Sequence, residues 1–305
     1  MGAMDWLKAL TLNYQRANAL ENKLDAFLSW YLGMGRELRF KSGFTITSGE
    51  KYRIASMLLA TFAHYGARLV GCDSSDYFGW RVCLDGGFIT TPSGIRFTLD
   101  SLDPLIFAET FIHEIHFVGF DLRGRIVLDV GGYVGDTALY FAQKGAKVYV
   151  YEPDPINYAK LQRNLELNPE LSRLIVARNE AVGLDGEATF MYGQWGNSSF
   201  TNKHGKPVKV KSVSLKTIFR ENDLSEAYLL KADCKGCEFV LADQEELKAF
   251  KVLTIEYTNT TKQCTELWGL IEKLRIMGFN RTRVYKHTLG FSEICEHGVI
   301  HAQRD

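Results

Sequence analysis

Val127-Leu-Asp-Val-Gly-Gly-Tyr-Val-Gly-Asp136 is the stretch that decides the fold. Arg125 to Val130 reads as a buried strand that ends in a carboxylate, Asp129. Gly131 and Gly135 then let the backbone turn sharply and leave room for a ligand. A helix is predicted from Asp136 to Gln143, and its unsatisfied N–H groups would face whatever binds at this edge. Lys147 to Tyr151 reads as the next strand, and Asp154-Pro155 caps a helix running to about Leu167. Together these residues form a βαβ unit suited to a nucleoside-bearing cofactor. Glu152 stands 23 positions after Asp129. An acidic side chain at that spacing and at a strand end suits bonding to ribose hydroxyls.

The alternation continues downstream. Strands are expected at Leu174 to Arg178, Tyr228 to Ala232 and Val252 to Tyr257. A long helix is expected from Thr261 to Met277, stopped by Gly278, and Arg281 to Lys286 with Gly298 to Ala302 reads as a closing antiparallel pair. The implied fold class is α/β: a Rossmann-like, mostly parallel seven-stranded sheet flanked by helices, in a domain of residues 101–305. Residues 1–100 read as a mainly helical accessory domain. Met1-Gly2-Ala3-Met4 looks like a remnant of recombinant expression, and a helix spans Trp6 to Leu32. Thr47 and Glu50 stand in capping-box positions ahead of a helix to about Tyr65. Short strands are expected between Tyr77 and Leu99, and Asp103-Pro104 opens a helix to about Phe117.

With 46% hydrophobic and 24% charged residues, the 305-residue chain can bury a large core. Lys+Arg and Asp+Glu both number 36, so net charge points to neither nucleic acid nor membrane. No apolar run reaches membrane-spanning length and no signal peptide is legible, so a cytoplasmic location is the expectation. Six cysteines are too few here for a disulfide scaffold. The sequence carries no signal for the oligomeric state.

Two cofactor classes share the logic of the opening stretch. A dinucleotide site wants G-x-G-x-x-G and little negative charge facing the pyrophosphate. Here carboxylates flank the turn: Asp129 and Asp136 would repel a diphosphate but suit an ammonium and a sulfonium. That favours S-adenosylmethionine.

Asp129-Val-Gly-Gly-Tyr-Val-Gly-Asp136, Tyr151-Glu-Pro-Asp-Pro155, Asn164-Leu-Glu-Leu-Asn168, Asn179-Glu-Ala-Val-Gly183 and Leu230-Lys-Ala-Asp-Cys-Lys-Gly-Cys-Glu238 resemble, in this order, the FkbM-type methyltransferases. The resemblance covers roughly residues 85 to 257. It implies a class I methyltransferase fold, with Asp129, Gly131 and Gly135 beside the methionine part and Glu152 on the ribose. It also implies Glu180 and Ala181 near the adenine, and Gly132, Tyr133, Asp136 and Pro153 complete the expected cofactor set. The family is associated with O-methylation of sugars and secondary metabolites. Three departures fall on the acceptor side. Gly131-Gly132-Tyr133 stands where Gly-Ala-Asn is usual, Leu215-Lys216-Thr217 where Leu-Asp-Asp is usual, and Lys235 replaces a glutamate.

Methyl transfer from a sulfonium is an in-line displacement that must align acceptor, methyl carbon and sulfur. Asp233, ending the fourth strand, is the candidate to orient or deprotonate an acceptor hydroxyl; its bland alternative is capping the next turn. Glu256, ending the fifth strand, is the second catalytic candidate. Trp195 and Ser198 in the polar loop Gly193 to Ser199, with Lys235 and Glu238, are candidate substrate contacts. Cys234 and Cys237 have the spacing of half a zinc site or a labile disulfide, but a second ligand pair is missing, so a structural reading without metal is favoured. His113-Glu-Ile-His116 lacks a residue of the H-E-x-x-H pattern and reads as helix-face residues near the cofactor mouth. No metal is expected.

Val208 and Val210 alternate with Lys209 and Lys211, which suggests a strand with a solvated basic face. The expected reaction is O-methylation of a small hydroxylated acceptor. An RNA methyltransferase is the enzymatic alternative, although the Asn/Asp-Pro-Pro-Tyr/Phe motif of base-amine methylation is missing. A cofactor-binding scaffold without turnover is the non-enzymatic one.

Overall fold

The computed structural model describes residues 14–49, 52–64, 67–71, 79–117, 119–192, 206–234, 236–260, 266–287 and 294–304. The chain divides into two units, Met1–Glu114 and Ile115–Asp305.

In the first unit, helix α1 (Lys23–Leu32) stops at Gly33, whose φ of 66° closes the last turn as an αL cap. Strands β1 (Arg36–Arg39) and β2 (Thr45–Ser48) pair antiparallel, α2 is Arg53–His64, and a second sheet runs β3 (Leu69–Gly71), β4 (Trp80–Cys83), β5 (Phe88–Thr90), β6 (Arg96–Thr98). Helix α3 (Pro104–Phe111) belongs here, because Phe107 meets the rings of Phe62 and Phe97 edge-on and that of Trp80 at a tilt.

Three expectations for this unit are corrected. The helix expected over Trp6 to Leu32 is interrupted at Leu20, which is buried and bridges to Phe40, and a new helix starts only at Lys23. Thr47 caps no helix but sits in β2, where Ile46 and Ser48 are buried and Thr45 and Thr47 exposed; this period of two outweighs the capping signal. Six strands among the described residues make the unit mixed rather than mainly helical.

The second unit is built on β7 (Ile126–Val130), α4 (Asp136–Gln143), β8 (Lys147–Tyr151), α5 (Pro155–Glu166), α6 (Pro169–Ser172) and β9 (Ile175–Arg178). Asp154 caps α5 by accepting the Ile156 N–H at 2.8 Å, with Pro155 in the first turn. A small sheet of β10 (Ala181–Val182), β11 (Gly186–Tyr192) and β12 (Lys206–Val213) follows, then α7 (Leu215–Glu221). The chain returns through β13 (Ala227–Ala232), α8 (Glu238–Leu241), β14 (Phe250–Thr260), α9 (Glu266–Ile276), β15 (Arg281–His287) and β16 (Ile294–Gln303).

The main sheet has seven strands in the order β15-β16-β14-β13-β7-β8-β9. All pairings from β14 to β9 are parallel, and β16 lies antiparallel to both its neighbours. From β7 the chain builds outward to β9 in one direction and later to β14 in the other. The crevice outside the carboxyl ends of β7 and β13 is therefore the topological switch point, where open α/β sheets bind ligands. Strands buried on both faces explain the near-continuous apolar runs, such as Val148 to Tyr151, which are buried throughout.

Candidate active site

The turn from β7 to α4 is shaped by close packing. Gly131 (φ 77°) lies so near the Asp233 backbone that a Cβ would run into the Asp233 carbonyl oxygen, and Gly132 packs as closely on Val150. Gly135 (φ 85°) faces Leu161 and precedes the first turn of α4. Between them Tyr133, a non-glycine residue, is held at φ 46°. Its N–H donates to Glu152 Oε2 at 2.8 Å, while Asp154 N–H donates to Glu152 Oε1 at 2.8 Å. Glu152 thus ties the glycine turn to the end of β8. Burial pushes its carboxyl up to about 8 against the pull of these two donors. Asn179 steadies the same corner, donating to the carbonyls of Glu152 (2.8 Å) and Pro153 (3.1 Å). Ala181 is buried in β10, and Glu180 accepts from Lys211 at 2.7 Å.

Asp129 is fully buried. Its Oδ2 accepts from Thr137 Oγ1 at 2.6 Å, and its Oδ1 lies 3.1 Å from the Lys231 ammonium. Lys231 also donates to the Gly131 carbonyl at 2.7 Å. The carboxylate therefore orders the turn from inside, and Asp136 is buried just beyond it. Sequence reasoning set Lys231 only near Asp233 on the acceptor side, not on Asp129, and did not assign Thr137 to the site. The legible signal was a lysine inside an otherwise apolar strand; its register with Asp129 came only with the sheet.

On the acceptor side, the Asp233 N–H donates to the Val130 carbonyl at 2.9 Å, which sets Asp233 at the carboxyl end of β13. Cys234 and Cys237 form a disulfide, S–S 1.97 Å, closing a short loop after Asp233. Glu238 is buried and accepts the Gly236 N–H at 2.8 Å. Glu256 lies on β14 beside Asp233, since Ala232 pairs with Ile255 in the parallel register. One ligand atom each of His116, Asp233 and Glu256 lie within 4.8 Å of one another.

His116 is not on a helix face: α3 ends at Phe111, and Glu114 takes a positive φ of 49° that no helix continues. The expected substrate contacts Trp195, Ser198 and Lys235 lie outside the described residues.

A strand order of this kind, with a glycine turn after β7 and an acid at the end of each of β7 and β8, defines a class I methyltransferase. The chain belongs to the FkbM methyltransferase family: the family model described as "Methyltransferase FkbM domain" matches residues 129–281, from the end of β7 to the start of β15. It is an S-adenosylmethionine-dependent methyltransferase. No curated protein sequence matches the chain.

Among solved structures it is similar to the METTL16 MTase domain, at 13% identity over 88% of this chain and 86% of that one, TM-score 0.46. It is also similar to M. jannaschii TYW2 in complex with AdoMet, at 13% identity over 69% of this chain and 82% of that one, TM-score 0.40. A third is precorrin-6y C5,15-methyltransferase from Geobacter metallireducens GS-15, at 10% identity over 67% and 89%, TM-score 0.38.

Proposed function

We propose that the protein methylates a hydroxyl of a small acceptor, such as a sugar or secondary metabolite. Bound S-adenosylmethionine supplies an electrophilic methyl group. The residues present fit it: the close-packed Gly131 leaves the backbone bare at the switch point, and Glu152 stands at the end of β8 for the ribose. Gly132, Tyr133, Gly135, Asp136 and Pro153 line the methionine and ribose side in this reading, with Asp129 supporting the turn from behind, and Glu180 and Ala181 line the adenine side.

The observation that carries the acceptor assignment is the pair of carboxylates, Asp233 and Glu256, at neighbouring strand ends beside His116. Such a cluster orients a hydroxyl and draws off its proton as the oxygen attacks. A polyanionic RNA is less well served. Lys209 and Lys211 of the basic strand are engaged by Glu187 at 2.6 Å and Glu180 at 2.7 Å, and the acceptor side is acidic. Among the described residues, no helix is long and apolar enough to cross a membrane.

The test is calorimetric titration with S-adenosylmethionine, S-adenosylhomocysteine and NAD, then a screen of hydroxylated acceptors with methyl-labelled donor. Micromolar binding of the first two, lost in Asp129→Ala and Glu152→Ala, and label on a hydroxylated acceptor are expected. A well-folded protein that binds neither would sink the reading. So would label transferred to RNA alone. Full turnover in Asp233→Asn would remove Asp233 from the chemistry.

A further inference from the structure

We propose that His116, Asp233 and Glu256 form a divalent-cation site on the acceptor side, and that the ion holds the acceptor hydroxyl. This rests on the hydroxyl-methylation reading above and names the device by which the acceptor is bound.

Three chain segments supply the three donors. Asp233 follows β13, Glu256 lies on β14, and His116 precedes β7 in the chain; one donor atom from each falls within a 4.8 Å span. Donor atoms bonded at about 2.1 Å to one small ion stand about 3–4 Å apart, so the three side chains close slightly when an ion binds. His116 is buried, 6% exposed. The segment bearing it is pinned to the sheet by two further buried polar side chains. Thr254 of β14 donates to the His116 carbonyl at 3.4 Å, and His301 of β16 donates to the Ile115 carbonyl. Outer hydrogen bonds of this kind fix a ligand's position before the metal arrives.

Charge points the same way. Two carboxylates so close repel unless a positive charge joins them. The Lys231 ammonium contacts Asp129 and the Gly131 carbonyl directly and also attracts Asp233, so this side of the sheet already draws opposite charges together. One imidazole and two carboxylates suit a borderline or hard divalent ion such as Mn2+ or Zn2+. The adjacent sulfurs are tied in the Cys234–Cys237 disulfide and offer no thiolate.

An ion here takes the acceptor hydroxyl as a further ligand and makes it a stronger acid. The hydroxyl proton passes by way of a carboxylate of the cluster to water, and an oxygen lone pair forms the new C–O bond. The methyl–sulfur bonding pair returns to sulfur, which leaves as a neutral thioether.

The experiment is titration of chelator-treated protein, without reductant, with MnCl2, followed by calorimetry and by paramagnetic resonance of bound Mn2+. One Mn2+ per chain is expected. Asp233→Asn, Glu256→Gln and His116→Gln should each weaken it by about tenfold or more, with S-adenosylhomocysteine affinity unchanged. Should His116→Gln fail to fold, the two near-isosteric carboxylate variants carry the test. Wild-type protein that binds S-adenosylhomocysteine but neither Mn2+ nor Zn2+ would overturn the cation site, as would ion binding that survives all three substitutions. Mn2+ binding at this cluster without S-adenosylhomocysteine binding would uphold the cation site and overturn the methyltransferase reading instead.

Discussion

Lys231 Nζ lies 3.1 Å from Asp129 Oδ1, both side chains almost wholly buried, on directly paired positions of β13 and β7. Burial works against the lysine's charge, yet the carboxylates of Asp129, Asp233 and Asp136 hold its pKa above the ordinary value. Burial likewise raises the Asp129 carboxyl, and the 3.1 Å contact with Lys231 and the Thr137 hydrogen bond pull it back down, favouring the ionised pair. Its lysine also holds the Gly131 carbonyl, so one ion pair couples the core to the cofactor turn.

Removing one partner leaves an uncompensated buried charge. Lys231→Met or Asp129→Asn is expected to lower unfolding free energy by about 3–5 kcal/mol, while the double variant recovers part of the loss. Urea unfolding of the four proteins checks this. Single-variant losses below about 1 kcal/mol would show that the pair is not ionised.

Glu152 makes stability depend on pH. Its folded-state carboxyl titrates near 8, above the ordinary 4.5, so the folded state holds a proton that the unfolded chain has released. Stability from this group is fully present below about 4.5 and is lost as pH rises through 8. His301, lowered by burial to about 4 from 6.5, acts oppositely, and only below 6.5. Between pH 6.5 and 8 the apo-protein should therefore become less stable with rising pH, by at most about 1.4 kcal/mol per unit. Glu152→Gln should flatten that slope. Thermal unfolding across the window is the check, and equal slopes in the two proteins would refute the assignment.

The Cys234–Cys237 bond has a direct chemical readout. Trypsin cuts after Lys231, Lys235 and Lys248, so an unreduced digest should contain peptide 232–235 linked to peptide 236–248. Reduction should separate them, and each should then accept one alkyl group. Alkylation of both cysteines without prior reduction would contradict the bond.

Much of the second unit is legible in the sequence. β7, β8, β9, β13 and β14 are short apolar runs bounded by turn residues, and Asp154-Pro155 announces α5. These signals are local, and a parallel sheet buried on both faces leaves a strong one. The β1–β2 hairpin is hidden because Thr47 and Glu50 mimic a helix cap, and only pairing with Arg36–Arg39 makes that segment a strand. α7 is equally hard to read: Ser214 caps it by accepting the Thr217 N–H at 3.1 Å. That Ser is itself fixed by Asp185, 29 residues earlier, at 2.9 Å.

The turn Asp129 to Asp136 and the acid at 152 are determined by sequence alone, because glycine tolerance and residue spacing along one βαβ unit are properties of the local chain. Which side chains meet there was decided only in three dimensions. Lys231 reaches Asp129 across 102 positions because β13 pairs with β7. His116 reaches Asp233 and Glu256 because the sheet order sets β13 beside β14 and Thr254 pins the segment before β7. Strand order is a long-range choice made by burial of whole faces, and no window of sequence contains it.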